Sequence, residues 1–218
     1  MADITAIILT RNEKDFIEEC ILSIKDVVKR IVVVDSFSED NTCKLAKKLG
    51  AEVYQHEFYN YSKQYKYAVN IANVKTKWIL RIDADERLTK ESAEELNKLC
   101  NENENTNVSG IVLRFYNMFL NKPMYHGGMY PWKKLSVYKT GLGDIEDRNM
   151  DEHIILSSGK TIEAKKDSKH LAFRGLTFFT NKCNWYSTRE AMDYFELAHS
   201  ATYYSKAYSE YRDAILSK

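Results

Sequence analysis

The chain has 218 residues, 44% hydrophobic and 29% charged, which is enough to bury a core without disulfide or metal staples and excludes wholesale disorder. With 32 Lys and Arg against 31 Asp and Glu, its net charge of +1 gives no whole-protein electrostatic argument for nucleic acid. Eight glycines and two prolines disfavour an all-β fold of tight turns, and four dispersed cysteines, Cys20, Cys43, Cys100 and Cys183, read as free thiols rather than a zinc or redox site.

Ile4–Thr10 is a short apolar run and predicts a strand. Phe16, Ile17, Cys20, Ile21, Ile24, Val27 and Val28 then recur at helical spacing. Ile31–Val34 is a β-branched run that ends at Asp35, and Ser38 is placed to cap a helix running to Leu49, with Gly50 as its stop. Glu52–His56 predicts a third strand, Ser62–Asn73 a helix, Trp78–Ile82 a fourth strand ending at Asp83, and Thr89–Cys100 a helix. Asn101–Ser109 is a polar loop and the best internal boundary. Beyond it, Gly110–Tyr116 and Leu135–Tyr138 predict strands, Asn117–Lys134 is aromatic and irregular, Lys139–Met150 is a polar loop, and Thr177–Lys218 reads as helical and tyrosine-rich. No basic segment followed by an apolar stretch opens the chain, and no run approaches the roughly 20 apolar residues that cross a bilayer. A cytoplasmic protein is expected, with at most peripheral contact at the inner face of the membrane.

Apolar strands separated by amphipathic helices predict a parallel sheet covered on both faces, which binds ligands beyond the carboxyl ends of its strands. Thr10–Asn12, Asp35 and Asp83 all lie at such ends. The most informative segment is Trp78-Ile-Leu-Arg-Ile-Asp-Ala-Asp-Glu86, where a strand delivers Asp83 and Asp85 into a turn. Carboxylates are hard oxygen ligands suited to Mg²⁺ or Mn²⁺ beside phosphate oxygens. The same pair also reads as a turn cap and a solvated acidic edge.

Together with the turns Thr10-Arg-Asn-Glu13 and Asp35 to Thr42, this Asp-Ala-Asp resembles glycosyltransferase family 2, the nucleotide-diphospho-sugar transferases of GT-A fold. The departure is Ser36-Phe37, where many members carry Asp-Gly. The resemblance implies an α/β, Rossmann-like GT-A fold with a mostly parallel central sheet, helices on both faces and a C-terminal helical extension. It implies a nucleotide-sugar half over residues 1–100, an acceptor half of the same domain over 101–175, and the extension over 176–218. It further implies that Thr10, Asn12, Glu13, Asp35 and Asp83 serve the nucleotide, that Gln64 and Lys66 lie near the donor phosphates, and that Asp83 and Asp85 hold the divalent cation. Lys66 reads equally as a lysine on the wet face of a helix, and Arg81 as a phosphate partner or a buried ion pair.

Gly128 to Tyr138, followed by a Gly-containing loop and Asp151-Glu152, is similar to the branch of the family that builds lipopolysaccharide cores and capsules. That likeness implies inverting transfer from a UDP-sugar to a saccharide or lipid-linked saccharide acceptor of a bacterial envelope glycan. Glu152 is the first choice for the base that deprotonates the acceptor hydroxyl, Asp151 the second, and Glu146-Asp147 a rival pair. A neutral imidazole can complete the coordination of Mn²⁺. His153 is assigned that place, with His170, near Arg174, weighed beside it. Tyr116–Trp132 reads as an acceptor groove or a plain core, and the C-terminal helices as packing or homo-oligomer surfaces. Two other readings use the same residues: a haloacid-dehalogenase-type phosphatase with Asp83 as nucleophile, and a non-catalytic nucleotide-binding protein of the same fold.

Overall fold

A computed structural model describes residues 1–171 and 174–198. The side chains of 196–198 lie outside that description, as do residues 199–218 with Tyr203, Tyr204, Tyr208 and Tyr211 of the expected tyrosine-rich helices. Strand β1 (Ile4–Thr10) is followed by α1 (Ile17–Ile24), β2 (Arg30–Asp35), α2 (Thr42–Lys48), β3 (Glu52–Gln55), α3 (Tyr61–Ala72) and β4 (Trp78–Arg81). Then come β5 (Glu86–Arg87), α4 (Lys90–Glu102), β6 (Val108–Phe119), β7 (Lys122–Met124), β8 (Trp132–Lys139), β9 (Gly143–Ile145), β10 (Ile154–Leu156), β11 (Lys160–His170) and α5 (Leu176–Ala198).

The main sheet runs in the order β3-β2-β1-β4-β8-β6-β11-β5, with β7 on β6, and β9 and β10 form a separate hairpin. Strands β3, β2, β1 and β4 are parallel, as the alternating apolar runs and helices predict. The remainder is mixed: β8 joins β4 and β6 antiparallel, whereas β11 joins β6 parallel. The strand β11 was not predicted because its sequence, KTIEAKKDSKH, turns only Ala164 and Ser168 fully inward.

Strand parity divides the core. Ile4, Ala6, Ile8, Val33, Trp78 and Leu80 face α1 and α4, where Ile17, Cys20, Ile21, Ile24, Leu96 and Cys100 supply an apolar stripe at helical spacing. Ile7, Val32, Val34 and Ile79 face Tyr65, Ala68 and Ala72 of α3 on the other side. The Tyr65 and Tyr138 hydroxyls meet there at 2.9 Å, satisfying two polar groups that burial would otherwise penalise. The Asn60 side chain caps α3 by accepting from the Lys63 amide at 2.8 Å, and Thr89 caps α4 at Ser92. Ser38 caps no helix: α2 starts at Thr42, whose amide donates to Asp40 at 2.9 Å, while Ser38 folds back onto Asp35.

Only residues 82–85 separate β4 from β5, a reach of roughly 18 Å. Yet β5 pairs with β11 at the far end of the sheet, Glu86 opposite His170. The sheet must therefore curl back, which brings the end of β11 against the turn after β4. The Leu171 amide closes that seam on the Asp85 carbonyl at 2.8 Å.

Candidate active site

A cavity of about 570 Å³ opens where β4, β8 and β11 converge. Its walls come from the β4 turn (Arg81, Asp83, Asp85), from β8 (Trp132, Lys134), from the 150–154 loop, from His170, and from one face of α5. Parity explains the β4 contribution. Trp78 and Leu80 are committed to the α1/α4 core, so Arg81 points to the opposite face.

Lys134, like Arg81, is a largely buried cation of the site, its side chain 12% exposed. Its ammonium donates to Asp83 Oδ2 at 2.7 Å and to Glu86 Oε1 at 2.8 Å. Burial opposes its charge, but the two carboxylates raise its pKa nonetheless. Glu86 is fully buried and also accepts from the Asp83 amide at 2.9 Å. Burial, with the neighbouring Asp83 charge, pushes it up to about 7 against the pull of Lys134. Burial also works against the Asp83 anion, yet Lys134 and Arg81 hold its carboxyl well below the usual carboxylate range. The Asp83 side chain remains 42% exposed, so solvent in the cavity reaches it.

Asp85 lies on the opposite side of the turn. Its Oδ2 is 3.8 Å from His170 Nε2 and 3.9 Å from Lys182 Nζ, separations longer than a hydrogen bond. His170 Nδ1 donates to Asn117 Oδ1 at 2.7 Å, which leaves the Nε2 lone pair facing the carboxylate. Burial lowers the His170 pKa and keeps the ring neutral, although Asp85 pulls the other way. A carboxylate and a neutral imidazole, set apart and backed by an amide oxygen, have the chemistry of a divalent-ion site. His153, the expected ligand, sits instead on the rim. Its Nδ1 is 3.2 Å from Glu146, its Nε2 is 3.9 Å from Asp151, and its side chain is 61% exposed. Among the described residues, no three His, Cys, Asp or Glu side chains are gathered as a metal cluster.

Glu152 lines the cavity, and its side chain is 4% exposed. Arg81 donates from Nη2 to Glu152 Oε1 and from Nη1 to the Glu152 carbonyl at 3.2 Å. Arg81 is thus the buried ion pair of its two sequence readings. Asp151 is exposed, with a positive φ of 55°. The rival Glu146 is held by the His153 amide at 3.0 Å.

The first strand-end turn is largely built on itself. Asp35 is fully buried, accepts from Thr10 Oγ1 at 2.8 Å and from the Ser38 amide at 2.8 Å, and is also met by the Ser38 hydroxyl and Gln55. Burial opposes its charge, but the Ser38 hydrogen bonds keep its pKa low. Neither Thr10 nor Asp35 lines the cavity; both shape the loop, and a base would have to displace one of these donors to reach Asp35. Asn12 is likewise a loop residue, accepting from the Glu39 amide at 2.9 Å. Glu13 does reach the cavity, paired there with Arg174. Burial pushes its carboxyl up to about 7 in spite of that arginine. Lys66 is exposed on α3 and outside the cavity, and Gln64 bridges His56 and Ser36. The cavity cations are Arg81, Lys133, Lys134, Arg174 and Lys182, of which the sequence reading weighed only Arg81 and Arg174. Alternation along β8 carried a signal for Lys134, which shares strand parity with Trp132. Trp132 is also the cavity member of the aromatic 116–132 stretch, in which Tyr116, Tyr125 and Tyr130 cluster apart from the cavity.

The profile of the family "Glycosyl transferase family 2" matches residues 5–188. An uncharacterized glycosyltransferase of Rickettsia felis is 28% identical over 201 residues, covering 88% of this chain and 70% of its own length. One from Rickettsia bellii is 43% identical over 93 residues, which is 31% of its length. The chain therefore spans only part of each of these relatives. Among solved structures, mannosyl-3-phosphoglycerate synthase from Rubrobacter xylanophilus superimposes with a TM-score of 0.57 at 15% identity, over 92% of this chain and 76% of that one. S. aureus TarS 1-349 in complex with UDP-GlcNAc gives 0.56 at 17% identity, over 99% and 70%. The mannosyltransferase PcManGT from Pyrobaculum calidifontis, in complex with GDP-Man and Mn²⁺, gives 0.56 at 14%, over 98% and 69%. At these identities the structural likeness is one of fold, the GT-A fold.

Proposed function

The chain belongs to glycosyltransferase family 2, and from that premise we propose that it transfers a sugar, with inversion, from a nucleotide-diphospho-sugar to a saccharide hydroxyl. A UDP-sugar donor and a saccharide or lipid-linked acceptor of a bacterial envelope glycan are the specific forms of that proposal. The observation that carries it is the division of one cavity between two acidic groups in different settings. Asp85 faces a neutral His170 across a gap, and Glu152 is fixed by Arg81. Asp85 and His170, with Asp83 alongside, would hold the divalent ion, whose chemistry is to offset the charge of the diphosphate leaving group. His153, on the rim, has no part in that set.

Arg174, just before α5, and Lys182, within it, supply positive charge for diphosphate oxygens. Glu13, at the end of β1, is the strand-end residue placed to meet the nucleotide. Glu152 has one oxygen held by Arg81. Its second oxygen takes the acceptor proton as the hydroxyl oxygen bonds to the anomeric carbon and the bond from that carbon to the diphosphate breaks on the opposite face. The products are the glycoside and the nucleoside diphosphate. A phosphatase with Asp83 as nucleophile conflicts with family membership.

The test is a panel of UDP-glucose, UDP-galactose, UDP-N-acetylglucosamine and GDP-mannose, with and without MnCl₂. The expected result is a thermal shift with one donor that requires MnCl₂, accompanied by slow release of its nucleoside diphosphate. Binding without any turnover, even with lipid-linked glycans as acceptor, would make this a binding module. No shift with any donor would overturn the proposal.

A further inference from the structure

Glu152 sits in the 146–153 loop between β9 and β10, which has neither helix nor strand of its own. The base of the loop is closed by the Glu146 amide on the His153 carbonyl at 3.0 Å, and its exit by Arg81 on Glu152. The apex is held from α5. Asp193, 7% exposed and 44 residues along the chain, accepts from the Asn149 amide at 3.0 Å on both oxygens and from Asn149 Nδ2 at 2.7 Å. The Met150 amide donates to it at 3.1 Å. Two consecutive backbone amides on one carboxylate make charge-assisted hydrogen bonds, stronger than neutral ones. They lie directly before Asp151, whose left-handed φ of 55° is uncommon for a residue other than glycine and needs its surroundings to hold it.

The same helix walls the cavity. Lys182, Trp185 and Tyr186 face the ligand space about two to three turns before Asp193. Between them Arg189 is buried, its guanidinium 4.0 Å from the Trp185 ring, with Nε and Nη1 lacking partners among the described residues. One face of α5 therefore joins the cavity wall to the loop apex.

We propose that Asp193 is the positioning residue of Glu152: it fixes the loop apex to α5 and so sets where the carboxylate stands in the cavity. This rests on the reading of Glu152 as the base. A displacement of about 1 Å at a reacting group can cost a hundredfold in rate, so loss of the apex tie should appear in turnover rather than in donor binding.

The experiment measures hydrogen exchange and turnover on the full chain. In Asp193→Ala, amides of residues 147–152 should exchange at least tenfold faster, while those of β1 and β4 are unchanged. Turnover of whichever panel donor the wild type consumes fastest should fall by about tenfold to a hundredfold, with donor KM unchanged within about twofold. Asp193→Asn keeps the shape and one acceptor oxygen; it should lie between wild type and Ala in both readouts, and it serves if Ala does not fold. Unchanged exchange in the loop, or a loosened loop with wild-type turnover, would overturn the proposal. Glu152→Gln, measured alongside, separates the two ideas: it should lose turnover with the loop still protected, and wild-type turnover in that variant would sink the base assignment instead.

Discussion

The two halves of the sheet are held by different means. In β2, β1 and β4 the strands are buried on both faces, with β3 half-exposed at the sheet edge, and local pattern decides the fold: β-branched runs, period-two parity and helices with one apolar stripe. In the second half, β11 is mostly polar, the 146–153 loop is irregular, and single carboxylates from distant elements do the fixing. Glu95 takes the Lys165 and Lys166 amides at the bulge of β11, Asp167 ties Arg114 to Tyr130, and Asp193 ties the loop. The catalytic candidates straddle this divide. Asp83 and Asp85 are delivered by the pattern-determined half, while Glu152, His170 and Lys134 come from the half that tertiary ties define.

The largest expected effect tests the tie-defined half at its functional centre. Glu152→Gln should lower turnover by about 10²–10⁴-fold, the usual worth of a positioned base, with donor affinity near wild type. Steady-state kinetics with the preferred donor check it, and a parallel loss of binding would make Glu152 a donor ligand. Next is Asn117→Ala, which removes the hydrogen bond that orients His170. Mn²⁺ affinity should fall by about 10–100-fold, as loss of an outer partner does at metal sites. Calorimetry would show otherwise if His170 stands apart from the ion.

The pattern-determined half predicts stability effects instead. Asp35→Ala strands the Thr10 hydroxyl and the Ser38 amide and should cost about 1–3 kcal/mol in urea unfolding. Lys66→Ala, on the wet face of α3, should stay within about 0.5 kcal/mol and leave UDP affinity unchanged. A large loss of UDP affinity with unchanged stability in either variant would return that residue to the nucleotide site.

The smallest effect is a pH slope. Burial raises the Glu13 carboxyl from its ordinary 4.5 to about 7, so between those values the folded state holds more protons than the unfolded one. Its contribution to stability is full below about 4.5 and is lost as pH rises through about 7. Urea midpoints for Glu13→Gln should decline less between pH 5 and pH 7 than those of wild type.

What could be read from the sequence follows the same divide. Every element of the first half was legible, save that α2 begins at Thr42, because Ser38 is drawn into the turn around the buried Asp35. The Asp-Ala-Asp turn was legible because a strand and a turn are local facts. Strand β11 was not, since Lys160, Thr161, Lys165 and Lys166 lie at its exposed positions and leave little apolar alternation. Nothing local in the sequence separates His153 from His170 as a ligand. The placement of His170 comes from the pairing of β5 with β11, a non-local contact that sets it opposite Glu86 and within 3.8 Å of Asp85. Asp193 and Lys182 carried a weak signal, as charges recurring at helical spacing on the face of α5 that bears Trp185.

In the proposed function Asp85, at the end of the pattern-determined half, holds the donor through a divalent ion. Calorimetric titration of UDP into wild type and into Asp85→Ala, each with and without MnCl₂, tests it most directly. Binding is expected in wild type with MnCl₂ and is expected to be lost in the other three titrations, with the melting temperature of the variant near wild type. Equal UDP affinity in all four would contradict it.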